Sequence, residues 1–238
     1  MTDGRNSVPQ EQKYELAIDT STDISSIAVA CEGEVVAELT WRLRESHTAE
    51  LVPGIDYLLR KIKTTPQQLR AVFVAKGPGS FNGLRVGMSA AKGLAFALNI
   101  PVVGVGTLEV EAYAFAHTGL PICAIYSAGR GELAAAFYQQ SDGWRCLKEE
   151  HLVTPDALCE QIETRTLFCG EIPAMTIELL VARLGERALI AEPVSRLRRA
   201  GYLAVLGWER LRDGRVDDPV TLQPLYMRPP PITQRKVR

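Results

Sequence analysis

A glycine-rich loop leads directly into a helix in the stretch KGPGSFNGLRVGMSAAKGLAFAL, residues 76–98. The loop contains Gly77, Gly79 and Gly83, and glycine accepts backbone angles that other residues avoid. Apolar residues that recur at steps of three and four predict the helix. They are Leu84, Met88, Ala91, Ala95 and Leu98. The apolar run at residues 71–75 predicts a buried strand, so the unit is a strand, a loop and a helix.

The residues alone leave two interpretations of the glycine loop open. Free N–H groups at the start of a helix attract anions, which favours a phosphate site. The nucleotide P-loop, however, needs Lys and then Ser or Thr after its last glycine, whereas Leu84 and Arg85 follow Gly83. The alternative is a turn that brings the helix close to a sheet.

The same loop and helix carry a family resemblance. Residues 77–87 and 91–97 resemble the signature of the TsaB family, the bacterial partner proteins in making threonylcarbamoyladenosine on transfer RNA. The resemblance extends over residues 16–228 and is loose in the last third. It implies a non-catalytic scaffold that activates a TsaD-like catalytic subunit, together with a TsaE-like ATPase. The product would be modified adenosine 37 of transfer RNAs that read codons beginning with adenine.

Composition bounds the class of protein. The chain has 238 residues, of which 46% are hydrophobic and 23% charged, as in ordinary globular domains. The formal net charge of −1 provides no global field for nucleic acid, so transfer RNA contact is expected only indirectly, through the complex. The five cysteines form no C-x-x-C pair, which is typical of free thiols in the cytoplasm. Apolar runs are shorter than the roughly 20 residues that span a bilayer, so no membrane partner is expected.

Both halves of the chain show the same order of predicted elements, β-β-β-α-β-α-β. Three antiparallel strands followed by helix-linked parallel strands predict an α/β protein with a mixed sheet covered by helices in each half. The family resemblance implies an actin-like, ribonuclease H-like fold with two βββαβα lobes. The predicted lobes are residues 14–118 and 119–228, preceded by a disordered extension at 1–13 and followed by a basic disordered tail at 229–238.

Actin-like ATPases bind phosphates with one acidic loop at the start of each half. The corresponding loops here are degenerate: Asp19 is present in the first, but Ser21 stands where the family usually has Gly. In the second loop Ser127 replaces the Asp, and Gly129 also departs from the TsaB pattern. With one carboxylate lost, a divalent ion that bridges phosphates has poor support. Asp19 either closes a turn through its side chain or keeps a residual polar role.

No metal, cofactor or catalytic residue is expected. TsaD proteins hold a metal with two histidines at i and i+4 on a helix, and Thr107 and Glu111 fall where those histidines would be. Thr107 is instead predicted to be the N-cap of its helix. His47, His117 and His151 lie in separate predicted elements, and His47 and His151 are expected to be solvated.

The family resemblance also implies a partner surface. Two helices of the first lobe, at about 48–63 and 82–98, would pair with two helices of the catalytic subunit as a four-helix bundle. The candidate contact residues are Leu51, Ile55, Leu58, Gly87, Ala90 and Ala91. The isolated protein is either a monomer or a homodimer.

The region of the last long helix is basic. Its arginines are Arg196, Arg198, Arg199, Arg210, Arg212 and Arg215. Ser195 is predicted to cap this helix, which runs to about Arg212. The arginines form either a solvated helix face or a contact with transfer RNA phosphates, and the same two alternatives hold for the basic tail.

Two alternative functions come from the enzyme class. An active ATPase or small-molecule kinase of the actin-like superfamily would need both acidic loops, and the second is missing. A peptidase would need a nucleophile motif, and neither H-E-x-x-H nor G-x-S-x-G is present.

Overall fold

The computed structural model describes residues 13–44 and 46–228. The predicted extension, apart from Lys13, and the predicted tail lie outside these residues. Within them, the chain forms two five-stranded mixed sheets with helices on both faces. None of the helices in these ranges is long and apolar enough to cross a bilayer.

The first half forms five strands and three α-helices. The strands are β1 (Tyr14–Asp19), β2 (Ile24–Cys31), β3 (Glu34–Arg42), β4 (Leu69–Ala75) and β5 (Val102–Val105). The helices are α1 (His47–Lys61), α2 (Phe81–Leu98) and α3 (Thr107–Tyr113). Short 3-10 turns occupy Pro66–Gln68 and Ala116–Thr118.

The second half repeats this order of elements. Its strands are β6 (Ile122–Gly129), β7 (Glu132–Gln140), β8 (Trp144–Val153), β9 (Thr166–Gly170) and β10 (Ala188–Ile190). Its helices are α4 (Pro155–Glu160), α5 (Ala174–Leu184) and α6 (Ala200–Arg212). Its 3-10 turns occupy Gly185–Arg187 and Pro193–Arg196.

The two sheets have equivalent topologies. The first has the order β3-β2-β1-β4-β5 and the second β10-β9-β6-β7-β8. In each, the first three strands pair antiparallel, while the last two join the sheet in parallel through helices. Strand β4 is buried along nearly its whole length, as its continuous apolar sequence predicts for a central parallel strand. The predicted order of elements and the mixed sheets are confirmed.

Each sheet takes a helix from the other half of the chain. Helices α1 and α2 cover one face of the first sheet, and α6 covers the other, where Leu203 packs on Phe73 and its alanine neighbours. Helices α4 and α5 cover one face of the second sheet. Helix α3 covers its opposite face through Leu108 and Ala112. We define each lobe as one sheet with the helices on its two faces. By this definition α6 belongs to the first lobe and α3 to the second.

Alanine and glycine set the distance between α6 and the first sheet. The sheet presents Ala17, Ala28, Ala30 and Ala71 to this helix. A Cβ atom at Gly207 of α6 would lie 2.3 to 2.7 Å from ring atoms of Phe73, closer than packed atoms approach. Only glycine therefore allows the present separation of α6 and β4.

The start of α6 differs from the expectation. Ser195 does not cap α6; it lies in the 3-10 turn Pro193–Arg196, and α6 starts at Ala200 after an extended Leu197. The interruption places Arg198 outside the helix and lets its side chain turn into the protein interior. At α1, the hydroxyl of Ser46 accepts a hydrogen bond from Ala49 N, and Pro53 lies inside the helix.

The chain continues past α6 as the C-terminal strap, residues 213–228. It first runs along the edge strand β5, where Asp217 forms a bridge with Val102. The Asp217 Oδ2 atom also accepts a hydrogen bond from Gly104 N at 2.8 Å. Leu222 then inserts into the first-lobe core beside α2. The strap therefore returns the end of the described chain to the glycine loop.

Candidate functional site

The glycine loop packs on the turn that follows β1. Cβ atoms at Gly79 and Gly83 would lie 2.4 and 2.0 Å from the carbonyl oxygens of Ser21 and Thr20. The Ser80 N–H donates to Ser21 O at 2.6 Å, and the Thr20 hydroxyl donates to Gly83 O at 2.7 Å. The glycines thus allow two backbone segments to touch, which supports the interpretation of the loop as a close-packed turn.

Thr107 holds the other end of the loop. Its Oγ1 atom accepts a hydrogen bond from Gly77 N at 3.0 Å, and its own N–H donates to Gly77 O at 2.8 Å. Gly77 has a φ of +115°, a conformation that favours glycine. The predicted N-cap role of Thr107 is wrong, because the N-cap is Gly106 and Thr107 is the first helical residue.

Asp19 closes the turn after β1. Its side chain is fully buried, and Oδ1 accepts hydrogen bonds from Ser21 N at 2.9 Å and from the Ser21 hydroxyl. These contacts support the turn-closing interpretation of Asp19. The predicted loop residue Ser21 is also buried and serves as the partner of Asp19.

Arg198 fills the space between this first loop and α3. The residue is only 4% exposed, and its Nη1 atom donates to Ser21 Oγ at 2.8 Å. Nε lies 3.0 Å from Glu111 Oε1, and Nη1 lies 3.9 Å from Asp19 Oδ2. Burial disfavours the charged guanidinium, but the carboxylates of Glu111 and Asp19 outweigh it and raise the pKa of Arg198. A buried cation thus occupies the position between the acidic loop and the facing helix.

Glu111 is a buried carboxylate with incomplete hydrogen bonding. Burial raises its pKa to about 7, even though Arg198 works in the opposite direction. Its Oε1 atom lies close to Arg198 Nε without hydrogen-bond geometry, and Asp19 Oδ2 also has no hydrogen-bond partner among the described protein atoms. Three buried ionisable groups therefore share one site with incomplete pairing.

Thr107 and Glu111 do not fit the metal that TsaD proteins hold. The hydroxyl of Thr107 is bonded to the glycine loop, and the carboxylate of Glu111 faces Arg198. A divalent ion beside Arg198 would meet a fixed positive charge. These residues support structural contacts at the positions that resemble the TsaD metal ligands.

The second degenerate loop lines a cleft between the lobes. Strands β6 and β7 are joined by the two-residue turn Arg130–Gly131, in which both residues have positive φ, as a tight hairpin requires. Ser127 and Gly129 lie at the end of β6 and face a cleft of about 740 Å³. Its other walls are the glycine loop and residues 225–228 of the C-terminal strap. The volume falls in the range of small-molecule sites.

His47 differs from the expectation of a solvated side chain. It is buried, and its Nδ1 atom lies 3.0 Å from the hydroxyl of the fully buried Ser25. Burial also lowers the pKa of His47. The helical spacing contained the signal, because His47 precedes the buried Leu51 and Ile55 by four and eight residues. His151 is also partly covered, since its Nε2 atom lies 3.2 Å from Gln161 Oε1.

The predicted partner-contact residues lie largely inside the first lobe. Its core contains Leu51, Ile55, Leu58 and Ala91, while Gly87 packs on Thr20 and Ala90 is half-buried. The apolar stripes of α1 and α2 face the sheet because this burial removes most of their apolar surface from water. We therefore assign Leu51, Ile55, Leu58 and Ala91 to the core of the first lobe and not to a partner contact.

The outward faces of α1 and α2 carry different side chains. Val52 on α1 is 64% exposed, and Phe96 on α2 is 85% exposed. Tyr57 is a further large exposed side chain on α1. We refer to the solvent-facing residues of α1 and α2 as the outer helix face.

The arginines near α6 are largely paired within the chain. Arg199 pairs with Glu38 at 2.6 Å, and Arg210 donates to Gly104 O at 2.8 Å. Arg198 is buried, as described above, so it is unavailable to a phosphate. Arg212 and Arg215 retain largely exposed side chains beside Asp213. Arg198 and Arg210 are therefore largely withdrawn from the surface, whereas Arg212 and Arg215 remain exposed.

Comparison with known proteins identifies the family. The family model of tRNA N6-adenosine threonylcarbamoyltransferase, TsaD, matches residues 34–177. The tRNA threonylcarbamoyladenosine biosynthesis protein TsaB of Bacillus subtilis is 32% identical over 199 residues, which cover 82% of this chain and 87% of that protein. The chain belongs to the TsaB family.

Solved structures agree with this assignment to the TsaB family. A Pseudomonas aeruginosa protein, described as similar to the peptidase YeaZ, has a TM-score of 0.76 and 26% identity. The match covers 91% of this chain and all of the other. A ROK family protein from Streptococcus pneumoniae has a TM-score of 0.50 at 9% identity, over 84% of this chain and 99% of that one. This second likeness concerns the fold alone, and the actin-like fold expected from the sequence is confirmed.

Proposed function

We propose that the protein is a non-catalytic subunit of the machinery that makes threonylcarbamoyladenosine at position 37 of transfer RNA. It would bind and activate a TsaD-like catalytic subunit in the cytoplasm, together with a TsaE-like ATPase, and meet transfer RNA only within the complex. The observation that carries the proposal is the similarity to the Bacillus subtilis TsaB protein over most of both chains.

The buried cluster of Asp19, Glu111 and Arg198 supports a non-catalytic role. A nucleotide site of the actin-like type would need space for phosphates and a divalent ion between Asp19 and the second loop. Arg198 holds a cation beside Asp19, and Ser127 offers no carboxylate from the other side. In the glycine loop, the Gly77 N–H donates to Thr107 and the Ser80 N–H donates to Ser21, so neither is free to bind a phosphate. These contacts favour a scaffold over an ATPase or kinase.

A reconstitution experiment tests the proposed role. The TsaD-like and TsaE-like proteins of the same genome would be purified and supplied with threonylcarbamoyl donor and unmodified transfer RNA. Threonylcarbamoyladenosine, measured by mass spectrometry, should form at least about tenfold faster with this protein than without it. Equal rates with and without the protein would overturn the proposal.

The isolated protein should not hydrolyse ATP. The release of phosphate should match a buffer blank, because Arg198 places a positive charge beside Asp19 and Ser127 provides no second carboxylate for a divalent ion. Turnover that exceeds the blank and follows the protein through gel filtration would favour the alternative, an ATPase or kinase.

We place the partner contact on the outer helix face. Exposed large apolar side chains are the ones that a second protein can cover, and Val52 and Phe96 are two of them. The same face would serve a homodimer of the isolated protein. An Asp at either position would be buried against the partner without a counter-ion, at a cost of several kcal/mol.

The variants Val52→Asp and Phe96→Asp test this surface. Each should keep the wild-type melting temperature but bind the TsaD-like subunit at least about 100-fold more weakly in calorimetry, or roughly 3 kcal/mol. Met175→Asp provides the control, since Met175 is 82% exposed on α5 of the other lobe. Wild-type affinity in both first-lobe variants would place the contact elsewhere.

A further inference from the structure

The C-terminal strap is firmly attached to the first lobe. Leu222 lies in its core, and the carbonyl oxygen of Leu222 accepts a hydrogen bond from Lys92 Nζ at 3.0 Å. The Leu225 N–H then donates to Lys76 O at 2.6 Å, at the start of the glycine loop. The strap is therefore fixed at both α2 and the loop before it reaches the cleft.

Tyr226 packs on the first turn of α2. Its ring centroid lies 5.0 Å from that of Phe81, and its hydroxyl accepts a hydrogen bond from Arg85 Nε at 3.1 Å. The Arg85 guanidinium lies 3.9 Å above the Phe81 ring, close enough for a cation–π contact. Three side chains thus form one packed unit at the mouth of the cleft.

The next two residues belong to the second lobe. Met227 packs against the core under β6 and β7. Arg228 forms an ion pair with Glu132, the first residue of β7. The strap therefore passes from α2 to the β6–β7 hairpin within the residues that wall the cleft.

This crossing is one of three within the described residues. The first lies between Val105, in the first-lobe core, and Leu108, in the second. The second lies between Ala191 and Ala200 and includes Arg198. Two crossings form a hinge about which lobes can open and close, as in many proteins that close around a ligand. A third attachment at a separate place, on the wall of the cleft, opposes that rotation.

We infer that residues 225–228 are a clasp that holds the two lobes at a fixed angle. The clasp ties the β6–β7 hairpin to the first turn of α2, so the cleft keeps its width, and the two lobes move as one body. Because the clasp acts within a single chain, its effect can be measured without any partner protein. The inference does not depend on the proposed function.

Truncation tests the clasp directly. A chain that ends at Tyr226 lacks Met227 and Arg228, and a chain that ends at Arg228 is the control that lacks only residues 229–238. Spin labels at Ser89→Cys on α2 and Met175→Cys on α5 would report the distance between the lobes by pulsed electron resonance. Both sites are exposed, and Cys31 and Cys146, the two cysteines that are not buried, would be replaced by Ser.

The control chain should give the same narrow distance distribution as the full chain. The chain that ends at Tyr226 should give a distribution at least about twice as broad, because the remaining crossings permit rotation. An unchanged narrow distribution in the shorter chain would overturn the inference.

If the shorter chain does not fold, point variants in the full chain test the clasp instead. The double variant Met227→Gln and Glu132→Gln removes both second-lobe contacts of the clasp while the chain stays intact. Glu149→Gln, an exposed change on β8 of the same lobe, is the matched control. Broadening in the double variant alone supports the clasp, and identical distributions in the two variants contradict it.

Discussion

At Glu111, a single side chain makes the stability of the protein depend on pH. Its pKa is about 7 in the folded chain because of burial, against a value of 4.5 when it is exposed. Between these two values the folded state holds a proton that the unfolded state has released, so stability falls as pH rises from about 4.5 to 7. The loss is about 3 kcal/mol over this window, at 1.36 kcal/mol for each unit of pKa.

Glu111→Gln should remove this dependence. Urea unfolding at pH 5, 6, 7 and 8 should show the variant gaining on the wild type up to about pH 7 and keeping a constant difference above it. Glu178→Gln, an exposed change on α5, is the control and should run parallel to the wild type. Parallel profiles for Glu111→Gln would contradict the assigned burial effect.

Thr107 allows an equally specific test of the glycine loop. Thr107→Val keeps the shape of the side chain but removes the acceptor of the Gly77 N–H. A buried donor without a partner costs about 1–3 kcal/mol. Thr107→Ser keeps the hydroxyl and should lose less than half as much in urea unfolding. Equal losses in the two variants would assign the effect to packing.

At the scale of residues, the sequence predicted contacts of side chains with groups that are close to them in the chain. The turn hydrogen bond of Asp19 depends on Ser21, which is only two residues away. The sequence did not predict the contacts of Arg198, whose partners Glu111 and Asp19 are distant in the sequence. Arginine is almost never fully buried unless paired, and a single sequence does not show such pairs.

At the scale of elements, α6 depends on close contact with the first sheet. Gly207→Ala would place a methyl group inside the van der Waals distance of the buried Phe73 ring. We expect a loss of about 1–3 kcal/mol in thermal or urea unfolding, the usual cost of overpacking. The ring cannot move aside because it is fully enclosed.

Gly93→Ala is the matched control for this substitution. Gly93 lies on α2, and a Cβ atom there would meet no atom within 4 Å. Alanine stabilises an exposed helix position by up to about 1 kcal/mol relative to glycine. The two substitutions should therefore shift stability in opposite directions, and a stabilised Gly207→Ala variant would contradict the packing described for α6.

The spacing of apolar residues predicted the helices α1 and α2, but it did not predict which face of each helix packs on the sheet. The spacing of Leu51, Ile55 and Leu58 defined one face of α1, and the structure places this face on the sheet. On α2, both the apolar stripe and the side with the candidate contact residues Gly87 and Ala90 could have faced the sheet. The orientation is set by the neighbouring sheet, whose residues lie far away in the sequence.

At the scale of the whole molecule, the exchange of α3 and α6 joins the two halves. A chain cut between residues 118 and 119 separates the first sheet from α6 and the second sheet from α3. Each half would then expose an apolar sheet face. We expect either half expressed alone to aggregate, and the two expressed together to associate into a soluble complex.

Gel filtration and thermal unfolding check this expectation. The co-expressed halves should elute together and melt in one transition, because neither core is complete without the other half. A first half that is soluble alone and melts sharply would show that its sheet does not need α6. The sequence predicted two similar halves, but similar topology does not reveal that they share helices.

The position of α6 also affects the protein during its synthesis. The face of the first sheet that contains Ala30 stays uncovered until Ala200 and the rest of α6 have left the ribosome. At about 5–20 residues per second, this interval lasts on the order of ten seconds. During that time the nascent first lobe exposes the apolar sheet face that α6 later covers. We therefore expect ribosome-associated chaperones to bind it.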